Sequence, residues 1–125
     1  MRKRHFSEVP AAEVPPPASG VRIRWLIDET AGAPNFAMRH FEIAPAGSTP
    51  FHAHEWEHEV FILSGSGVVV SGPGESAFSP GDAIFIPGGE KHCFKNTGAD
   101  HVRMLCIVPK GTKRQSATSN EEARE

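Results

Sequence analysis

Glycine and proline cut this chain into runs too short for ordinary helices, and that punctuation limits the fold more than any other feature. Gly65, Gly72-Pro73-Gly74, Ser79-Pro80-Gly81 and Pro87-Gly88-Gly89 follow one another closely, separated by segments rich in Val, Ile and Phe. Proline fixes φ and removes a backbone donor, and glycine supplies the φ values that tight turns need. Residues 21–28 alternate so that Val21, Ile23, Trp25 and Ile27 share one face, the pattern of a half-buried strand. Similar short runs at 36–43, 60–63, 68–70, 75–78, 83–86, 92–96 and 102–108 predict about nine or ten strands and no convincing helix. An all-β antiparallel sandwich or barrel follows.

One stretch carries the chemistry. His52-Ala53-His54-Glu55-Trp56-Glu57-His58 puts three histidines in seven residues just before an apolar run. On an extended strand His52 and His54 point the same way. Neutral imidazole is the commonest protein ligand for first-row transition ions. The competing reading, a wet loop with surface histidines, suits one isolated His better than this spacing beside strands.

A second stretch, residues 81–96, reads as a strand, a Pro-Gly-Gly turn and a strand opening at His92. Its spacing, Gly81-x5-Pro87-x-Gly89-x2-His92-x3-Asn96, resembles the second motif of the cupin superfamily. His52, His54 and Gly65 fit the first cupin motif, Gly-x5-His-x-His-x3,4-Glu-x6-Gly. Two positions depart from it. Ala46 stands at the usual glycine site, with Gly47 one residue late. Counted back from Gly65, His58 stands at the usual Glu site, with Glu59 the alternative ligand. The string around Trp56 is also similar to small single-domain cupins with an all-histidine metal site. The resemblance covers roughly residues 36–109 and implies a double-stranded β-helix, the jelly-roll cupin barrel. It implies His52, His54, His58 and His92 as ligands of one divalent transition metal per chain. The family points to manganese or iron, whereas intrinsic affinity for such a donor set favours copper, nickel or zinc, and cobalt also fits.

Alternation then orients the lining. With His58 inward, Val60 and Ile62 follow it, while Glu57, Glu59 and Phe61 face away. With His92 inward, Phe94 is inward and Cys93 and Lys95 are outward. With Arg103 in solvent, Met104, Cys106 and Val108 turn inward. Phe94, Met104, Cys106 and Ile62 are therefore the candidate substrate-pocket residues. For residues 36–43 two registers remain open, one placing His40 inside and the other Arg39. In the second register Arg39 could bind a carboxylate. His5, His40 and His101 fit no ligand spacing and read as surface residues.

No carboxylate falls inward by alternation, so no general base stands out. This weakens acid–base chemistry and leaves redox or Lewis-acid chemistry on a small, fairly apolar molecule. The expectation is an oxygenase-like metal-dependent enzyme (a dioxygenase or oxidoreductase). The alternative is a non-catalytic small-molecule binding or sensing module.

Length and charge bound the rest. At 125 residues the chain is one domain, with residues 1–20 as a proline-rich arm, 21–109 as the barrel and 110–125 as a polar tail. A net charge of −2 argues against a nucleic-acid binder. No apolar run spans a membrane, and no h-region follows the basic start, so a cytoplasmic protein is expected. Two cysteines do not make a disulfide scaffold, and by alternation they face opposite sides. The apolar strand at 21–27, with the arm beside it, suggests a homodimer.

Overall fold

The structure is a computed structural model that describes residues 1–72 and 74–110. Pro73 of the expected turn, and the expected polar tail beyond residue 110, lie outside the described residues. The chain forms strands β1 (Ala12–Glu13), β2 (Ser19–Ile27), β3 (Phe36–Ser48), β4 (His58–Ser64), β5 (Gly67–Ser71), β6 (Gly74–Phe78), β7 (Ala83–Ile86), β8 (His92–Asn96) and β9 (Val102–Pro109). Every pairing is antiparallel, in the order β6-β5-β8-β3-β9-β4-β7, with β2 also on β3 and β1 on β2. The crossovers in that order curl the sheet into the jelly-roll barrel expected of a cupin.

Burial follows the pleat. On β4 His58, Val60 and Ile62 are buried while Glu59 and Phe61 are exposed. On β9 Val102, Met104, Cys106 and Val108 are all buried. Each fully buried apolar side chain of this size contributes about 1.5–3 kcal/mol. Cys93 lies on the face opposite Phe94, as alternation requires, yet is buried. Outward orientation there does not mean contact with solvent.

Two polar side chains fix β8 against β3. Asn96 is buried, and its Nδ2 donates to the carbonyls of Ile43 and Asp100, at 2.9 Å each, while its Oδ1 accepts from Gly98 N. Thr49 Oγ1 accepts from Phe94 N at 2.8 Å, and Thr49 N donates to Phe94 O. A buried side chain that satisfies three backbone groups costs more to remove than its own bonds contribute, because those groups are left unpaired. This accounts for the asparagine that closes the second motif.

The arm is held against the barrel. Residues Phe6–Glu8 form one 3₁₀ turn, although the prolines around them argued against any helix. Val9, Val14 and Ala18 are buried. Arg24 Nη1 donates to the carbonyls of Phe6 and Val9, both at 3.0 Å. Phe6 then stacks on His40, ring centroids 4.9 Å apart. His40 is therefore buried and not on the surface, because the arm covers it. A register shift between Trp25 and Ile27 takes Ile27 off the inward row, and its side chain is exposed. Both departures come from long-range contacts or a bulge, neither of which period-two patterning registers.

Candidate metal centre

Three elements bring three imidazoles together. His58 opens β4, His92 opens β8, and His54 comes from the loop between β3 and β4. The segment holding His52 and His54 is not a strand: His52 makes a single isolated bridge to His92, with backbone N–H···O bonds of 3.2 and 3.0 Å. That reciprocal pair sets the loop beside β8. Ligand atoms of His54, His58 and His92 all lie within 4.8 Å of one another. All three residues are buried.

The outer nitrogens show which way each ring is turned. His92 Nδ1 is 2.8 Å from the Glu90 carbonyl, and His54 Nδ1 is 3.3 Å from the Trp56 carbonyl. A carbonyl only accepts, so each Nδ1 carries the proton and each Nε2 is left as a donor atom. His58 Nδ1 lies 3.1 Å from Cys106 Sγ, and His58 Nε2 is 2.8 Å from His54 Nε2. Ligands about 2.1 Å from a shared ion at right angles stand about 3 Å apart, so the spacing fits coordination. Held outer nitrogens are what a metal site needs to fix ring orientation. Burial first, then the nearby Arg39 charge, holds His58 far below the ordinary histidine range, so its imidazole is neutral. The donor set therefore fits a divalent transition ion.

His52 borders this trio without converging on it. Its ring centroid lies 5.2 Å from His54 and 6.2 Å from His92. Glu59 is exposed on the opposite face of β4 from His58.

Most of the side chains around the trio are apolar. Ile62, Phe94, Met104 and Cys106 are buried on the same face as the histidines, with the Phe94 ring 6.4 Å from that of His92. The open register of β3 resolves with Arg39 inside: it pairs with Cys106 across to β9 and is fully buried. Its Nη2 donates to Cys106 Sγ at 2.7 Å and sits 3.3 Å from His58 Nδ1. The Trp56 ring stacks on His54 at 4.5 Å and 6°, and His54 in turn stacks on His58 at 4.3 Å and 9°. Alternation along β3 was the one signal for Arg39, and nothing local indicated its contact with Cys106.

Residues 39–108 match the cupin domain family. The chain belongs to that family. Among solved structures, this cupin is similar to the polyketide cyclase RemF from Streptomyces resistomycificus, with 40% identity, TM-score 0.81, and coverage of 87% of this chain and 79% of that one. A cupin-2 domain protein from Rhodospirillum rubrum shares 28% identity, with TM-score 0.74 and coverage of 87% and 74%. A predicted oxalate decarboxylase from Thermotoga maritima shares 25% identity, with TM-score 0.73 and coverage of 85% and 96%. Among curated proteins, none matched.

Proposed function

We propose that this cupin is a metal-dependent enzyme that closes a ring in a polyketide-like substrate, with one divalent transition ion held by His54, His58 and His92, and with His52, which borders that trio, turning in to complete the set. The observation that carries the reading is the convergence of His54, His58 and His92 in an interior lined by apolar side chains. The 40% identity to a polyketide cyclase over most of both chains supports the substrate class.

When bound, the ion supplies Lewis-acid polarisation of substrate carbonyl oxygens, and four neutral imidazoles would leave its full +2 charge for that task. The protein's own side chains do the rest. Trp56 and the Glu90 carbonyl fix the rings of His54 and His92, and Cys106 fixes His58. Ile62, Phe94, Met104 and Cys106 form the substrate pocket and keep water from the reacting carbons. Ring closure in a chain of alternating ketones uses C–H groups already acidified by two carbonyls. It needs no strong protein base, which suits an interior lined by apolar residues. Manganese or iron is the family's expectation, with zinc, nickel, copper or cobalt compatible with the same donors.

An oxygenase-like enzyme is a second reading, favoured by the all-imidazole donor set, which leaves positions open for a small molecule. A third is a binding module without turnover. We place the protein in the cytoplasm, acting on a small molecule. One experiment separates the readings: metal-loaded protein is given a synthetic poly-β-ketone thioester in an oxygen-electrode cell, with products taken for mass spectrometry. Loss of water with no oxygen uptake supports the cyclase. Oxygen uptake with oxygen in the product replaces it with the oxygenase, and tight binding without product leaves the binding module.

A further inference from the structure

Arg39 is a fully buried cation, and among the described residues its hydrogen bonds and ring contacts include no carboxylate. Its Nη2 is engaged by Cys106 and His58. Its flat faces are covered by aromatic rings, with Phe41 at 5.0 Å and Trp25 at 5.5 Å from the guanidinium carbon. Nε and Nη1 have no hydrogen-bond partner among the described residues. Between them they carry three of the guanidinium's five N–H groups. Arginine stays charged at every relevant pH, so the site cannot neutralise itself as a buried lysine could. Cation–π contact offsets part of the desolvation cost, but a buried charge without a counter-charge keeps a large remainder. Asp28, the buried carboxylate among the described residues, is engaged at a 3₁₀ turn by Thr30.

We propose that Arg39 is an anion-binding group of the barrel interior, and that the ligand of this cupin carries a carboxylate which the free N–H groups of Arg39 receive. Planar guanidinium N–H groups match a carboxylate in shape and charge, and such charge-assisted bonds are about twice as strong as neutral ones. Trp25 is only partly buried, so on that side the guanidinium lies one side chain from solvent. Arg39 is also beside His58, so a ligand anchored there reaches the imidazole trio. The proposal rests on the barrel interior being the ligand site and deepens that reading by naming the charge the ligand brings. It does not depend on ring closure.

The test compares salicylate with salicylamide, a charged and a neutral probe of nearly the same shape. Titration calorimetry is run on zinc-loaded wild type, Arg39→Gln and Arg39→Lys, with zinc content measured for each. The wild type is expected to prefer the acid by roughly tenfold or more, Arg39→Gln to lose that preference, and Arg39→Lys to keep part of it, with binding referred to the zinc-loaded fraction of each protein. Equal binding of the two probes by the wild type, or no binding of either at millimolar concentration, overturns the proposal. So does an acid preference that survives in Arg39→Gln, which would assign the carboxylate to the metal. Should Arg39→Gln fail to fold, Arg39→Lys decides, because an undiminished preference there also overturns it. Failure of the cyclase assay alone leaves this result standing, which keeps the two readings separable.

Discussion

Arg39 on β3 and Cys106 on β9 are direct cross-strand partners, and their side chains meet through an N–H···S contact of 2.7 Å. Cys106 is also 3.1 Å from His58 Nδ1, so one thiol joins the buried cation to the metal-facing imidazole. The ring of His58 is thereby positioned by two strands other than its own.

We predict that purified protein carries about one divalent transition metal per chain. His58→Ala should lower the metal content at least roughly tenfold, because it removes a ring that converges on the site. Glu59→Ala should keep the metal and change stability by no more than about half a kcal/mol, since Glu59 is exposed on the other face. Elemental analysis of the three proteins checks this. Metal bound by His58→Ala and lost by Glu59→Ala would show that the carboxylate is the ligand.

Ala46 and Gly47 make a second test. Ala46 has φ 67°, in the left-handed region, at the position where the family motif has glycine. Ala46→Gly should raise stability by about 0.5–1 kcal/mol through relief of that conformation. A Cβ on Gly47 would lie 2.5 Å from Ser19 O and 2.8 Å from Ala44 O, so Gly47→Ala should destabilise by about 1–3 kcal/mol. Urea unfolding measures both, and a destabilising Ala46→Gly would refute the strain argument.

Stability should fall in mild acid. Burial first, then the Arg103 charge, holds His40 below the ordinary histidine range. Above a pH of about 6.5 the group is neutral both folded and unfolded, and contributes no pH dependence. Below it the unfolded chain takes up a proton that the folded chain refuses, so stability is lost as pH falls. His40→Leu should flatten part of that slope, with His58 supplying more of the same sign. Urea midpoints from pH 7 to pH 5 in chelator, which removes the metal's own pH dependence, give the comparison. An unchanged slope in the variant would rule out His40.

The protein should be a homodimer, but not through the strand face the sequence suggested. On β2 Val21 and Ile23 are buried, whereas Phe61, Leu63 and Phe85 on β4 and β7 are 45%, 43% and 59% exposed. Leu105 and Ile107 border the same outward hollow. Exposed apolar patches of this kind mark contact surfaces. Light scattering should give a dimer at micromolar concentration, and Phe61→Lys with Phe85→Glu should dissociate it. A monomeric wild type would count against the interface.

Both cysteines should titrate as free thiols after denaturation without reductant, and react slowly in the native state, because both are buried and unbridged. Detection of no thiol in the denatured protein would contradict the assigned faces.

What the sequence determined by itself is whatever short-range physics controls. Gly and Pro spacing set the turns, and period-two alternation put His58, Val60 and Ile62 on one face and Glu59 on the other. The second motif, from Gly81 to Asn96, made the barrel legible, since its residues act within one turn and its flanking strands. The tertiary structure decided what depends on residues far apart in the chain. Arg39 and His40 are neighbours with opposite orientations, and alternation alone allowed either to face inward. Pairing of β3 with β9 placed Arg39 on Cys106, while the N-terminal arm brought Phe6 over His40 and buried it as well. His54 entered the metal trio from a loop held by the His52–His92 backbone bridge, a contact between residues 40 positions apart. Such contacts are fixed by which strands the barrel makes adjacent, and no local pattern encodes that adjacency.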